Sequence, residues 1–171
     1  MAVRTIVQLG DEHLKKISEP VKEINEEILN LVKDLKDTLA TVEGVGLAAP
    51  QIAVNKRVIY IDLRDGSEPI VLINPVITEK EGSEMDYEGC LSYVGYEGMV
   101  ERPTRVVVQA LNEEGDLMEY EATDFLARCF CHEIDHLEGI MYTEKATEIF
   151  ELEEEEYEDE EEYEDEEEYE E

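Results

Sequence analysis

Apolar residues recur at spacings of three and four from Ile24 through Ile28, Leu31, Leu35, Leu39 and Val42, and the stripe stops near Gly44. That period puts them on one face of an amphipathic helix whose apolar side packs into a core. Beyond the segment GVGLAAPQ the pattern changes. RVIYIDL and PIVLINP are short and rich in β-branched residues, and TRVVVQAL and LMEYEA follow with NEEGD between them. These read as strands of an antiparallel or mixed sheet, the last two as a hairpin. A second helix is expected through FLARCFCHEIDHLE, with Thr123 or Asp124 as its cap and Gly139 as the left-handed residue past its last turn. Phe125, Cys129, His132 and His136 share one of its faces, and Leu126, Phe130, Glu133 and Leu137 line another about 100° away. A helix apolar on two faces belongs near the centre of a domain, so its histidines do not simply face solvent.

The chain has 171 residues, and no break in composition before residue 150 suggests a second domain. One globular unit over residues 1–150 and a tail over 151–171 are expected. The tail holds 17 of the 47 acidic residues and none of the 14 basic ones, and Tyr157, Tyr163 and Tyr169 recur in it every six residues. Dense like charge without aliphatic residues predicts disorder there. The remaining 30 acidic residues still outnumber the 14 basic ones by 16, so direct binding to nucleic acid, which needs clustered Lys and Arg, is not expected. No apolar run approaches the roughly 18 residues of a membrane helix, and MAVRTIVQLGDEH lacks the apolar stretch of a signal peptide. A cytoplasmic protein is expected, and Cys90, Cys129 and Cys131 are an odd number of thiols rather than a disulfide framework.

Two of the three histidines lie four residues apart in CHEIDHLEG. On a helix, His132 and His136 stand one above the other and can turn ring nitrogens toward one ion, while Glu133 is displaced round the helix, able to act as a base without being a ligand. A catalytic site needs a third protein ligand. Downstream the only candidates are glutamates near the acidic tail. Upstream, YEGCLS offers Cys90 in what reads as a glycine-flanked loop, where Gly89 permits a tight backbone and a thiolate suits zinc or ferrous iron. Cys129 and Cys131 lie on different helix faces and cannot both reach one metal.

Three segments, GVGLAAPQ at 44–51, EGCLS at 88–92 and HEIDHLEG at 132–139, together resemble the peptide deformylases, metalloenzymes that remove the N-formyl group from the initiator methionine of new polypeptides. The likeness spans residues 1 to about 145 and includes the long helix before the first motif and ERPTRV after the second. It implies an α+β fold: mostly antiparallel or mixed sheets around a central HExxH helix that binds the metal, with the long N-terminal helix packed outside. It also implies Cys90, His132 and His136 as metal ligands with water as the fourth, Glu133 as acid and base, and Gln51 and the backbone N–H of Leu91 as donors to the developing oxyanion. Gly44, Val45, Gly46 and Gly89 are expected at the substrate, residues 45–47 pairing with its main chain, and Glu88, Arg102 and Asp135 behind the ligands, with Glu88 orienting His132. Phe125, Cys129, His132 and Leu91 are candidates for the wall of the methionine pocket. The resemblance implies Fe²⁺ as the metal, with Zn²⁺, Ni²⁺ or Co²⁺ able to substitute, and N-formylmethionyl nascent chains as partners.

Two departures stand out. Cys131 replaces the glutamine that commonly precedes the first motif histidine, and an acidic tail stands where some relatives carry a basic helix that docks on the ribosome. Two other readings remain open to the sequence: an HExxH endopeptidase, which leaves GVGLAAPQ and EGCLS unexplained, and an inactive homologue that binds nascent or formylated peptides.

Overall fold

The β-branched runs build most of a five-stranded sheet in a computed structural model of the chain, which describes residues 2–153. Along the chain α1 (Glu26–Leu39) precedes β1 (Gly46–Ala48), β2 (Val58–Ile61) and the long β3 (Ile70–Glu81). Then come β4 (Glu84–Cys90), β5 (Tyr93–Arg102), β6 (Arg105–Leu111), β7 (Leu117–Thr123), α2 (Asp124–Leu137) and β8 (Glu148–Glu151). The larger sheet has the order β1-β2-β3-β6-β7 and the smaller one β4-β5-β8, every pair antiparallel. This is an α+β architecture in which α1 and α2 cover opposite faces of the larger sheet.

The strand side chains sort by parity. Val58 and Tyr60 join Ile28, Leu31, Leu35 and Leu39 under α1. Ile59 and Ile61 join Phe130, Ile134 and Leu137 under α2. With both faces covered, β2 is buried along its whole length.

The helix predicted from Ile24 starts one turn's edge later, because Asn25 accepts a hydrogen bond from the Ile28 N–H and caps it; Ile24 and Val42 flank the core as half-buried residues. Thr123 does sit at the cap of α2, but its side chain makes no capping hydrogen bond. Gly139 is left-handed at φ 73° and close-packed as well: a Cβ there would lie 2.5 Å from the Lys15 carbonyl oxygen.

Strands β4 and β5 were not predicted. Most residues of β4 are exposed on both faces, so it lacks apolar alternation, and Cys90, expected in a loop, is its last residue. A register shift between Gly89 and Cys90 ends the pairing and sets Cys90 opposite Tyr93. At the other end, β8 runs past residue 150 and Leu152 donates its N–H to the Gly95 carbonyl at 2.8 Å. The disorder expected of the acidic run concerns residues that, from 154 on, lie outside the described residues. Among the described residues no helix is long and apolar enough to cross a membrane.

Candidate active site

Helical geometry stacks His132 and His136 one turn apart on α2, with ring centroids 5.0 Å from each other. The end of β4 brings Cys90 across to them, its Sγ 3.4 Å from His136 Nε2. One donor atom each from Cys90, His132 and His136 lies within 4.8 Å of the other two, the only such group of three found among the described residues. His132 is held in orientation from behind: its Nδ1 lies 2.7 Å from Glu88 Oε1 and donates to that carboxylate, which turns Nε2 toward Cys90 and His136.

Glu88 is itself clamped. Arg102 donates Nε to Oε2 at 2.8 Å and Nη2 to Oε1 at 2.9 Å, and Arg128 donates Nη1 to Oε2 at 2.8 Å. Burial alone would push the Glu88 carboxyl up, but the hydrogen bonds from Arg102 and His132 outweigh it and hold the group well below the usual carboxylate range. Arg102 also reaches Asp135 Oδ2 at 2.6 Å, and Lys145 approaches the same oxygen at 2.9 Å. Burial opposes the charge of His132 too, yet its contacts with Cys90 and Glu88 raise its pKa well above the ordinary value, whereas burial and the neighbouring His132 push that of His136 well below.

Glu133 is in a different condition. It is buried, and its Oε2 has no hydrogen-bond partner among the described residues. Desolvation pushes its carboxyl up to about 7, so it changes protonation state near neutrality, as an acid and base must. A Cβ on Gly46 would lie 3.0 Å from Glu133 Oε1, and one on Gly44 would lie 2.9 Å from a Leu91 methyl. These glycines let β1 and the segment before it come close to Glu133 and Leu91.

Gln51 is fixed at both ends of its amide. Oε1 accepts from the Ala48 N–H at 3.0 Å, and Nε2 donates to Ser92 Oγ at 3.1 Å and faces Cys90 Sγ at 3.6 Å. A cavity of about 540 Å³ opens over the cluster, lined by Gly44, Val45, Gly46, Gln51, Gly89, Leu91, Phe125, Cys129, His132 and Glu133 among others. Phe125 is exposed and stands at its mouth, and Cys129 lies deeper with its thiol pushed up by burial to about 12.

Of the residues singled out in the sequence, Arg102 and Asp135 are set back from the cluster, Arg102 tied to it through Glu88 and Asp135 through Arg102, and Cys131 packs in the core under α2. Three others escaped notice. Arg128 precedes His132 by four residues, so helical spacing places it on the same face; it bonds Glu88 and the carbonyls of Val100 and Glu84. Ser92 closes the EGCLS segment and donates its N–H to Cys90 Sγ at 3.4 Å. Leu152 lines the cavity from the end of the described chain, with no local signal to announce it.

A buried carboxylate with one oxygen unbonded, beside a Cys/His/His donor set and under an open cavity, is the arrangement of a metal-dependent hydrolase. Residues 3–151 match the family profile described as polypeptide deformylase. The chain is 67% identical over 156 residues to peptide deformylase 2 of Clostridium perfringens, spanning 90% of this chain and 99% of the relative. It is 50% identical over 156 residues to the peptide deformylase of Acetivibrio thermocellus, spanning 91% of each. The crystal structure of a peptide deformylase from Legionella pneumophila superposes with a TM-score of 0.83 at 41% identity, covering 85% of this chain and 87% of that one. A peptide deformylase from Synechococcus elongatus, solved in complex with actinonin, gives 0.80 at 38% identity over 84% of this chain and 78% of that one. The chain belongs to the polypeptide deformylase family. It is a hydrolase that removes the formyl group from newly made polypeptides.

Proposed function

We propose that Cys90, His132 and His136 hold the metal, that Glu133 moves the proton, and that Gln51 and the backbone N–H of Leu91 receive the charge that develops on the formyl oxygen. The observation that carries this reading is the convergence of three donor atoms within 4.8 Å of one another beside a buried carboxylate whose Oε2 has no hydrogen-bond partner among the described residues. The donor set fits a borderline cation: one sulfur and two imidazole nitrogens, with a Glu88 contact at Nδ1 that leaves the His132 Nε2 side facing the cluster. We assign Fe²⁺ as the native ion on the strength of the family resemblance, with Zn²⁺, Ni²⁺ or Co²⁺ able to substitute. When bound, the metal supplies Lewis acidity, polarising the formyl carbonyl and making water acidic enough to ionise near neutrality.

The protein's own groups do the rest. As the water oxygen adds to the formyl carbon, its proton passes to a carboxylate oxygen of Glu133. The C–N bond then breaks, and the proton moves from Glu133 to the departing amine nitrogen, leaving formate and a free amino terminus. Gln51 Nε2, held in place by Ser92, donates toward the formyl oxygen while it carries negative charge.

The substrate main chain lies along β1, an edge of the larger sheet. The Val45 carbonyl already accepts from the Asp62 N–H at 2.8 Å, and antiparallel pairing alternates, so Gly46 presents its N–H and C=O to the open edge. The methionine side chain enters the cavity toward Phe125, Cys129 and Leu91. A substrate that appears as a nascent chain sets the working place in the cytoplasm near the ribosome, and the acidic surplus of the chain disfavours direct contact with RNA. The test is formate release from a formyl-methionyl tripeptide by chelator-treated protein reloaded anaerobically with Fe²⁺ or Zn²⁺. Release that returns with the metal, and Cys90→Ala protein that no longer retains it, support the assignment; full activity after chelation or in Cys90→Ala removes it.

A further inference from the structure

Two elements distant in the chain deliver the groups assigned to the formyl oxygen. Gln51 stands in the short 3₁₀ turn Ala49–Ile52, and Leu91 and Ser92 form the turn between β4 and β5. One segment near the start of the chain is bonded to both. The Val7 N–H donates to the Gln51 carbonyl at 2.8 Å, and two residues on the Leu9 N–H donates to the Ser92 carbonyl at 2.7 Å. Between them Gln8 reaches the same turn with its side chain: Nε2 donates to the Leu91 carbonyl at 3.0 Å and to the Ile6 carbonyl at 3.3 Å. The segment is itself fixed upstream, where the Arg4 N–H donates to Thr38 Oγ1 of α1 at 2.8 Å and the Ala2 N–H to Asp34 Oδ1 at 2.9 Å. Downstream it is held by Leu14, which is fully buried.

The Leu91 carbonyl and the Ser92 N–H belong to one planar peptide, so holding the oxygen fixes where the hydrogen points. That hydrogen meets Cys90 Sγ, 3.4 Å from the Ser92 nitrogen. A donor on the carbonyl also polarises the peptide and strengthens the bond that its N–H makes. Gln8 is exposed, and neither it nor Val7 or Leu9 lines the cavity. Water can replace a donor to an exposed carbonyl, but it does not tie that carbonyl to the backbone of residues 7 and 9. The tie keeps the Leu91–Ser92 turn at a set place from Gln51, whose Nε2 meets the Ser92 hydroxyl at 3.1 Å.

Resting on the assignment of Cys90 as a metal ligand and of Gln51 and the Leu91 N–H as donors to the formyl oxygen, we propose that residues 7–9 are a strap across those groups. Gln8 is its positioning residue, acting on Cys90 and Leu91 through the peptide it holds. Because the strap stays outside the cavity, it acts on the chemical step rather than on capture. Charge on the formyl oxygen is greatest during reaction, and donors moved off their line lose most there.

The test compares full-length Gln8→Met, which keeps the reach of the side chain and removes its donor, with Gln8→Lys, which keeps a donor, each loaded with metal beside the unmodified protein. Assays run at about 0.15 M salt, so that the added charge of the lysine is screened. For formate release from formyl-Met-Ala-Ala, kcat of Gln8→Met should fall about 5-fold, the worth of one neutral hydrogen bond, with KM within about 2-fold, and Gln8→Lys should recover most of the loss. In the Co²⁺-loaded proteins the thiolate-to-metal absorption of Gln8→Met should move to longer wavelength as the bond to Cys90 Sγ weakens, and that of Gln8→Lys should stay in place. An unchanged kcat or an unchanged absorption in Gln8→Met overturns the proposal. Equal losses in the Met and Lys variants overturn it as well, since the bulk of the side chain and not its donor would then matter. Unmodified protein that binds Co²⁺ yet releases no formate strikes the deformylase reading, while the absorption comparison still decides whether Gln8 acts on Cys90.

Discussion

Helices α1 and α2 are equal in length, 14 residues each, and press on opposite faces of one sheet, yet they bury different chemistry. The buried face of α1 is an aliphatic stripe with Asp34 and Thr38 at one side, where Asp34 accepts from the Ala2 N–H at 2.9 Å and Arg4 Nε at 3.0 Å. The buried face of α2 includes Arg128, His132, Glu133 and His136. An apolar face is stabilised by leaving water, and substitutions of similar size there cost little. Buried ionisable groups gain nothing comparable and need partners, which is why Glu88 and Arg102 crowd against α2, where Glu88 meets Arg128 and His132 and Arg102 meets Asp135. One helix holds the sheet together; the other spends stability to hold reactive groups in place.

Breaking the chemical side of this contrast should give the largest effect. Glu133→Gln keeps the shape and removes the base, so kcat for formate release should fall about 10³-fold while bound metal, counted by elemental analysis, stays the same. Glu88→Gln strikes the support: Arg102 and Arg128 lose their anion and His132 its acceptor. Unfolding free energy from denaturant melts should drop by about 3–5 kcal/mol, and metal affinity by competition titration should weaken about 10–100-fold. Because the Glu88 carboxyl lies below its ordinary 4.5 when folded, the stability it contributes is complete above that pH and is lost as the pH falls further; acid melts of Glu88→Gln should lack this component.

On the α1 side the expected pattern reverses. Leu35→Ala empties a fully buried position and should cost about 3 kcal/mol in a chemical melt, with kcat of the folded enzyme unchanged. Asp34→Asn should be the mildest, about 1 kcal/mol by thermal melting. Burial works against the Asp34 charge, but the Ala2 and Arg4 hydrogen bonds prevail and lower its pKa from 3.8, so its contribution too is present at neutral pH and fades only under acid. An Asp34→Asn variant that melts lower at pH 7, by a margin that shrinks as the pH falls below 3.8, would bear this out.

The same contrast explains what the sequence could disclose. The α1 stripe was legible from its spacing of three and four, the β2, β3 and β6 runs from their buried β-branched residues, and β7, exposed except near Tyr120 and Ala122, from the turn that joins it to β6. His132, His136 and Glu133 were legible because one helical turn fixes their relation. Cys90 was recognisable from its motif, but its strand was not, since β4 is largely exposed and its pairing with β5 leaves no apolar alternation. Clamp partners such as Arg128 Nη1 on Glu88 join residues 40 apart in the chain, a relation that no local period encodes. Gly46 could be seen as a place without a side chain, but that the space beside it holds the Glu133 carboxylate comes only from the fold.

Strand β2 has one further implication. A strand half in water is kept in alignment by its polar residues, since sliding by one would drown the apolar set. Val58, Ile59, Tyr60 and Ile61 are all buried, so a slide by one would trade one oily face for another and meet little resistance from hydrophobicity. The alignment has to come from fasteners at the ends: Arg57 donates to the Leu137 carbonyl and to Glu138, its own carbonyl accepts from the Asn74 N–H, and the Asp62 N–H reaches Val45. These ordinary-looking polar residues set the phase of the sheet, and through Val45 they also set where the open edge at Gly46 stands relative to Cys90, His132 and His136.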